Sequence, residues 1–193
     1  ASRNEDLKRL SANFNAKVNT ALVAPRRWGK SSLVYKASEE FARYSYYRIC
    51  YVDLFKVRSE KEFFQTIANS TIQSLADNEA DKLDLARKFL SGITPQLALQ
   101  TTAESEYDVQ LDFSDKVNEQ VIHLGNEIAR KKGHTLLLCI DNFQVFETFP
   151  KSDELLQKLR SAWEGHSNTV YCLTGSNRSY LTRLFSEPER PIY

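Results

Sequence analysis

The sequence predicts an α/β protein of three layers, in which a mostly parallel sheet is covered by helices on both faces. Four short segments rich in β-branched and aromatic residues are the first observation, since their almost continuous apolar character is typical of strands buried on both sides. Helical patterns that separate these segments are the second observation. The length of 193 residues and the hydrophobic content of 41% suit one domain with its own core.

Strands and helices alternate along the chain. The predicted strands are 18–23, 47–54, 135–140 and 169–174, and the predicted helices are 31–43, 60–76, 115–131 and 152–164. A polar, weakly periodic stretch over 91–114 is interpreted as an insertion that could contain a small hairpin. We therefore expect a single domain over residues 1–193.

Composition and charge exclude several classes of protein. A net charge of +1 gives no overall basis for binding nucleic acid, so any basic surface would have to be local. No apolar run approaches the ~20 residues of a membrane helix, and the first residues lack the apolar core of a secretion signal. Cys50, Cys139 and Cys172 lie in predicted strands without a C-x-x-C spacing, which favours core thiols in a reducing compartment. We expect a cytoplasmic protein that makes no contact with membranes.

The most informative stretch lies between the first strand and the first helix. A strand, a tight loop ending in Gly-Lys-Ser and a helix are the context of a phosphate-binding loop, whose backbone N–H groups bind a polyphosphate. Lys30 would reach the β- and γ-phosphates, and the Ser31 hydroxyl would complete a magnesium shell. Gly29 lets the backbone approach the anion. The candidate nucleotide-binding residues of this loop are Ala24, Pro25, Arg26, Arg27, Trp28, Gly29, Lys30, Ser31 and Ser32.

One position of the loop departs from the usual pattern G-x-x-x-x-G-K-[ST]. Ala24 stands where the first glycine is expected, and alanine adds little volume at a position that needs a small residue. The alternative interpretation is a solvated basic surface loop. Surface exposure is also the expected state of the Arg26 and Arg27 side chains.

A carboxylate that could hold magnesium ends the third predicted strand. Asp141 follows the apolar run Leu-Leu-Leu-Cys-Ile, which is the Walker B pattern of nucleotide hydrolases. The alternative for Asp141 is a turn or cap residue. Given the preceding loop, we expect Ser31 and Asp141 to be the metal-binding residues.

The next position bears on catalysis. Asn142 follows Asp141, where hydrolases of the additional-strand class normally have a glutamate. An amide can orient a water molecule but cannot accept its proton. Either hydrolysis is slow or another carboxylate substitutes, and Asp53 at the end of the second strand is a better candidate than Glu147. The alternative for Asp53 is a turn or cap residue. The candidate catalytic residues are Lys30, Asp141, Asn142 and Asp53.

Polar residues also follow the fourth predicted strand. Thr174, Ser176 and Asn177 are placed to sense a γ-phosphate, although turn chemistry alone would also favour Gly-Ser-Asn there. Arg178 is interpreted either as a phosphate contact or as a solvated surface residue. A GTPase is disfavoured, because the sequence has no Asn-Lys-x-Asp signature for guanine. A kinase remains open, although no acceptor site is evident.

Taken together, these motifs resemble the prokaryotic and archaeal ATPase family, a branch of the AAA+/STAND-like P-loop ATPases. Members typically have Pro-Arg-Arg-x-Gly-Lys-[Ser/Thr]-Ser-Leu, then Asp-Glu-Phe-Gln, then Thr-Gly-Ser and a helix. The matching stretches of this chain are 25–33, 141–144, 174–176 and 181–185. Residues 3–7 also resemble a box that precedes the first strand in this family, and 51–54 resemble its second strand.

The resemblance implies an adenine nucleotide, magnesium and a P-loop core with five strands in the order 5-1-4-3-2. It also implies a helical lid and a winged-helix-like domain after the core, and we expect both to lie outside residues 1–193. Asn142 is the departure that matters most, because it replaces the catalytic glutamate of the family.

Two main hypotheses follow. The first is an ATPase core in which hydrolysis of magnesium-bound ATP drives a conformational change in downstream domains or in a protein partner. The second is a switch or scaffold that binds ATP and hardly hydrolyses it, which Asn142 favours. A DNA-associated ATPase is suggested only by the domain that the family appends, so nucleic acid would be contacted only through domains outside this chain. The sequence predicts neither the oligomeric state nor the identity of a partner.

Overall fold

The computed structural model of the chain describes residues 3–93, 99–101, 107–109 and 115–186. Its strands are β1 (Thr20–Val23), β2 (Tyr47–Asp53), β3 (Leu99–Thr101), β4 (Tyr107–Val109), β5 (Thr135–Asp141) and β6 (Thr169–Gly175). Its helices are α1 (Arg3–Asn15), α2 (Lys30–Ala42), α3 (Glu60–Leu75), α4 (Glu79–Ile93), α5 (Asp115–Lys132), α6 (Ser152–Glu164) and α7 (Arg178–Ser186). A 3₁₀ helix covers Phe143–Thr148.

The main sheet has four parallel strands in the order β1-β6-β5-β2. Counted along the chain, these strands have the order 1-4-3-2, which is the expected order 5-1-4-3-2 without its fifth strand. The described residues place no strand on the outer side of β1. All residues of β5 and β6 are buried, as their continuous apolar sequences predict.

Helices cover both faces of the sheet, so the predicted three-layer α/β/α arrangement is confirmed. On one face, α1 and α2 contribute Leu10, Phe14, Val34 and Phe41 to a core that includes Cys139 and Cys172 of the sheet. On the other face, a larger core joins residues of α3, α5, α6 and α7. The three cysteines are buried and free of disulfides, in agreement with core thiols.

The stretch 91–114 begins with the last three residues of α4 and ends directly before α5. Within it, β3 and β4 form the small antiparallel hairpin that the sequence allowed, with Leu99 paired to Val109. The other residues of this stretch, apart from the end of α4, lie outside the described part of the chain. Its interpretation as an insertion stays a prediction.

The register of the sheet determines where the functional residues meet. Asp53 pairs with Asp141 at the carboxyl ends of β2 and β5, and Val23 pairs with Gly175 at the carboxyl ends of β1 and β6. The loop after β1 therefore lies at the same edge of the sheet as the carboxylates that end β2 and β5. Among the described helices, none combines the length and apolar character of a membrane-spanning helix.

Candidate functional site

The loop between β1 and α2 has the backbone of a tight anion-binding turn. Gly29 has φ 69° and ψ 32°, a left-handed conformation that glycine adopts without strain. Helix α2 begins at the next residue, and no side chain caps its first turn. Its first N–H groups and the positive end of its dipole are therefore available to an anion.

Ala24 fits its place in the loop. Its N–H donates to the carbonyl of Gly175 at 3.3 Å, which continues the pairing of β1 with β6 by one residue. A methyl group at this half-buried position is accommodated in the structure. The replacement of the usual first glycine by Ala24 therefore leaves the path of the loop intact.

Lys30 lies close to the loop that it follows. Its Nζ donates to the carbonyl oxygen of Pro25 at 3.0 Å, so the ammonium group lies across the loop. The N–H of Trp28 donates to the same carbonyl at 3.4 Å, which tightens the turn. The Lys30 ammonium group thus contacts the backbone of the loop that leads into α2.

Ser31 and Asp141 are joined directly, although 110 positions separate them in the sequence. The Ser31 hydroxyl donates to Oδ2 of Asp141 at 2.5 Å. Asp141 is 7% exposed at the end of β5. The structure therefore brings together the two residues that the sequence assigned to a metal.

Three more donors surround the Asp141 carboxylate. The Thr174 hydroxyl and the N–H of Asn142 donate to Oδ1, and the Tyr51 hydroxyl donates to Oδ2 at 2.8 Å. Burial raises the pKa of Asp141, but the hydrogen bonds from Ser31, Thr174, Tyr51 and Asn142 outweigh it and hold the pKa below its ordinary value. The carboxylate is therefore ionised at neutral pH.

This donor set fits magnesium. Magnesium prefers oxygen ligands and is usually held through one or two carboxylates. The Ser31 hydroxyl and the ionised Asp141 carboxylate supply oxygen atoms beside the start of α2. These two residues would hold the ion together with phosphate oxygens of a nucleotide.

A second set of side chains extends from Asp53. Oδ1 of Asp53 accepts a hydrogen bond from Nδ2 of Asn142 at 2.7 Å and another from the N–H of Phe55 at 2.9 Å. Oδ1 of Asn142 accepts from Gln144 at 3.1 Å, and Oε1 of Gln144 accepts from the N–H of Ser176 at 3.1 Å. A polar chain therefore connects the carboxyl ends of β2, β5 and β6.

Asn142 adopts a left-handed backbone with φ 58° and ψ 38°. Asparagine and aspartate tolerate this region better than glutamate does. The conformation gives a local reason for an amide where a glutamate is otherwise expected. The side chain holds Asp53 and Gln144 in place through both of its polar atoms.

Other residues predicted from the sequence take separate places. The side chains of Pro25, Arg26, Arg27 and Ser32 are exposed, and that of Trp28 is 69% exposed. Arg178 begins α7 and is exposed.

Asn177, a candidate γ-phosphate sensor, and Glu147, a candidate base, are joined by a hydrogen bond. The amide of Asn177 donates to Glu147 at 2.8 Å, and Oδ1 of Asn177 accepts from the N–H of Tyr180 at the start of α7. Asn177 is therefore a cap residue of α7. Glu147 is occupied with this cap, whereas Asp53 bonds directly to Asn142.

Sequence reasoning missed Tyr51 and Gln144 as site residues. Alternation along β2 places Tyr51 on the same face as Asp53, because side chains two residues apart in a strand share a face. Burial and the charge of Asp141 raise the pKa of Tyr51, so its hydroxyl stays protonated at neutral pH. The spacing to Asp53 was the signal that could have found Tyr51.

The fold agrees with that of three solved archaeal structures. The Walker-type ATPase PABY2304 of Pyrococcus abyssi is 20% identical with a TM-score of 0.60, and the match covers 100% of this chain and 50% of that one. Cdc6p of Pyrobaculum aerophilum is 15% identical with a TM-score of 0.57, over 95% of this chain and 41% of that one. The Orc1 protein of Aeropyrum pernix, solved in complex with DNA, is 10% identical with a TM-score of 0.57, over 98% and 42%.

These likenesses establish the fold, which this chain shares with the Walker-type ATPase, the Cdc6p protein and the Orc1 protein. The chain spans about half the length, or less, of the solved structures it matches. No protein-family model and no curated protein sequence matches it.

Proposed function

We propose that this chain, which has the fold of the Walker-type ATPases, binds ATP with magnesium at the loop 24–32 and hydrolyses it slowly. The hydrogen bond between Ser31 and Asp141 is the observation that carries the proposal. It joins the start of α2 to the end of β5, where a phosphate-bound magnesium ion needs both a hydroxyl and a carboxylate. Preference for adenine rests on the family resemblance and on the fold.

In this proposal each residue of the loop has a defined role. The N–H groups at Gly29 and the start of α2 bind phosphate oxygens, and Lys30 turns from the Pro25 carbonyl toward the β- and γ-phosphates. Ser31 and Asp141 hold the metal. Magnesium, when bound, would neutralise charge on the phosphate oxygens. Thr174 and Ser176 serve as sensors, the first through Asp141 and the second through Gln144.

For hydrolysis we assign the proton-accepting role to Asp53. Asn142 cannot accept a proton from water, since its amide is neither basic nor ionised. Its Nδ2 donates to Asp53 at 2.7 Å, which fixes one oxygen of an exposed carboxylate. Asn142 is thus a positioning residue, and Asp53 is the group that accepts the proton.

The second candidate function is a nucleotide-dependent switch with almost no hydrolysis. It is favoured by the absence of a carboxylate at position 142 and by the engagement of that amide with Asp53 and Gln144. Turnover of Asn142→Asp and Asn142→Glu separates the two functions. Aspartate suits the left-handed backbone and is the primary variant. A large gain in turnover supports the switch, and no gain supports Asp53 as the base.

The first experiment is a titration with a fluorescent ATP analogue, with and without magnesium, alongside a phosphate-release assay. Lys30→Ala should bind about 10- to 100-fold more weakly than wild type, since a charge-assisted contact is lost. Lys36→Ala, on the exposed side of the same helix, is the matched control and should bind as wild type does. Equal binding by wild type and Lys30→Ala would contradict the proposal. Tight binding without phosphate release would favour the switch.

The nucleotide state would be transmitted to downstream domains or to a protein partner through α7, which begins directly after Asn177. Contact with nucleic acid is proposed only for domains outside this chain, because the chain itself has a net charge of +1. ATP and ADP are the proposed small-molecule ligands. We place the protein in the cytoplasm on the basis of its three buried free thiols.

A further inference from the structure

The Asp141 carboxylate has protein donors at all of its acceptor positions. A carboxylate offers about four lone-pair positions on its two oxygens. Oδ1 accepts from the Thr174 hydroxyl and the Asn142 N–H, and Oδ2 accepts from the Ser31 and Tyr51 hydroxyls. A metal ion, or a water molecule bound to one, can therefore engage this carboxylate only if one of the four donors leaves.

The four donors differ in how readily each could move away from the Asp141 carboxylate. Thr174 is 1% exposed within β6, and the Asn142 N–H belongs to the peptide bond that follows Asp141 itself. The Ser31 hydroxyl would remain, because its oxygen would be a ligand of the same ion. The Tyr51 side chain is 39% exposed and ends in a hydroxyl on a long, rotatable side chain.

We propose that Tyr51 competes with magnesium for the Asp141 carboxylate: its hydroxyl donates to Oδ2 of Asp141 and leaves this oxygen when magnesium and nucleotide bind. The inference rests on the proposed function, because it assumes that Ser31 and Asp141 hold magnesium. It adds Tyr51 as a positioning residue that sets how much magnesium the site requires.

The surroundings of Tyr51 allow this movement. Its neighbours in β2, Cys50 and Val52, point into the core on the opposite face of the sheet and are 0% and 1% exposed. The ring of Tyr51 can turn toward solvent without opening that core. Asp141 keeps the donors at Oδ1 after such a turn, so the buried carboxylate still has partners.

Tyr51→Phe separates this role from a merely structural one. The variant removes the hydroxyl that competes for Oδ2. The magnesium concentration that gives half-saturation at a fixed ATP concentration should therefore fall by about tenfold, which corresponds to one hydrogen bond to a charged group. Binding of ATP in EDTA should not change, since Lys30 and the loop are unaltered. Tyr35→Phe, on the exposed side of α2, is the matched control and should require as much magnesium as wild type. An unchanged or higher magnesium requirement in Tyr51→Phe would overturn the inference.

A second measurement needs no loss of the hydroxyl. With 3-fluorotyrosine incorporated at position 51 of the full-length chain, the ¹⁹F resonance should shift when magnesium and ATP are added together, and stay in place with ATP and EDTA. A resonance that does not respond to magnesium and ATP would overturn the inference even if Tyr51→Phe fails to fold.

The two proposals fail in distinguishable ways. If wild type binds the nucleotide more tightly with magnesium than in EDTA and Lys30→Ala loses this binding, the proposed function stands, and an unaltered magnesium requirement in Tyr51→Phe overturns the role of Tyr51 alone. If wild type shows no magnesium-dependent binding, both proposals are overturned.

Discussion

The two carboxylates of the candidate site differ in burial and in the number of their partners. Asp141 is 7% exposed and accepts four hydrogen bonds, from residues of α2, β2 and β6 and from the backbone N–H of Asn142. Asp53 is exposed and accepts from Asn142 and Phe55. The difference teaches that a buried charge needs a hydrogen-bond donor at each acceptor position, whereas an exposed carboxylate can be satisfied in part by solvent.

This contrast accounts for the pattern of the motifs. Around Asp141, the Gly-Lys-Ser loop and Thr174 agree with what a metal site needs. Around Asp53, an amide stands at position 142 where a glutamate is expected, and the carboxylate lies on the neighbouring strand. Asp53 is exposed and Asn142 is half-buried, and one hydrogen bond joins the two side chains across β2 and β5.

The largest effect is expected from Asp141→Asn. An asparagine can accept at one atom only, so two of the four donors would lose their acceptor, and the charge that attracts magnesium would be removed. Magnesium-dependent ATP binding should weaken by about 100-fold or more, and the free energy of unfolding should fall by about 1–3 kcal/mol. Titration with the fluorescent analogue and urea unfolding measure the two effects. Binding within threefold of wild type would contradict the assignment of Asp141.

Asp53→Asn is the matched change in the other half of the site. It should leave ATP binding and stability close to wild type, because the side chain is exposed, and lower turnover by about 100-fold, as for the loss of a general base. Phosphate release under saturating ATP measures it.

A double variant that exchanges the carboxylate of Asp53 with the amide of Asn142 tests whether a carboxylate at either position supports hydrolysis. Asp53→Asn combined with Asn142→Asp keeps one amide and one carboxylate across β2 and β5, so it should recover turnover to within about tenfold of wild type. If Asp53→Asn alone is fully active, or the exchange restores nothing, Asp53 is not the proton acceptor.

Gly175→Ala perturbs the polar chain from Asp53 to Ser176 without touching either carboxylate. An added Cβ would clash with Cδ1 of Leu181 and would lie 2.7 Å from Oε1 of Gln144. Both neighbours would have to move, and we expect a loss of about 1–3 kcal/mol in the free energy of unfolding. Thermal unfolding measures it. Gly165→Ala is the control, since its nearest contact is an ordinary 3.5 Å, and an equal loss there would contradict the steric explanation.

Much of the fold was predictable because burial leaves a continuous signal. All residues of β5 and β6 are buried, and the predicted strands end one residue short of the observed ones. Helix α1 was missed because its apolar residues, such as Leu10 and Phe14, are sparse among charged ones. Helix α4 was missed for a similar reason, since charged residues fill most of its first turns.

The site was predictable where a residue type is tied to one chemistry. Lys30, Ser31 and Asp141 follow from the loop and from the strand that ends in a carboxylate, and the structure places Ser31 against Asp141. The role of Tyr51 was not predicted, because tyrosine is common in β-strands and its presence in β2 gives no indication of a functional site. Its spacing to Asp53 places it on the same face of β2, and the register of β2 with β5 then brings its hydroxyl to Asp141.

The smallest expected effect is the change with pH in how much Asp141 contributes to the free energy of unfolding. It compares the ionised and the protonated form of this buried carboxyl group. Its pKa in the folded protein lies below the ordinary 3.8, so the ionised form stabilises the fold at pH values above 3.8, and this contribution is lost as the pH falls through the folded pKa.

The difference in the free energy of unfolding between wild type and Asp141→Asn should therefore be largest at pH 6 and smaller at pH 3. Asp77 and Asp81 also have lowered pKa values, through their bonds with Lys132, but both variants share them and they cancel in the difference. Urea unfolding of both proteins at pH 6, 4 and 3 measures the gap. A gap that stays constant or widens in acid would show that the donors around Asp141 do not favour its ionised form.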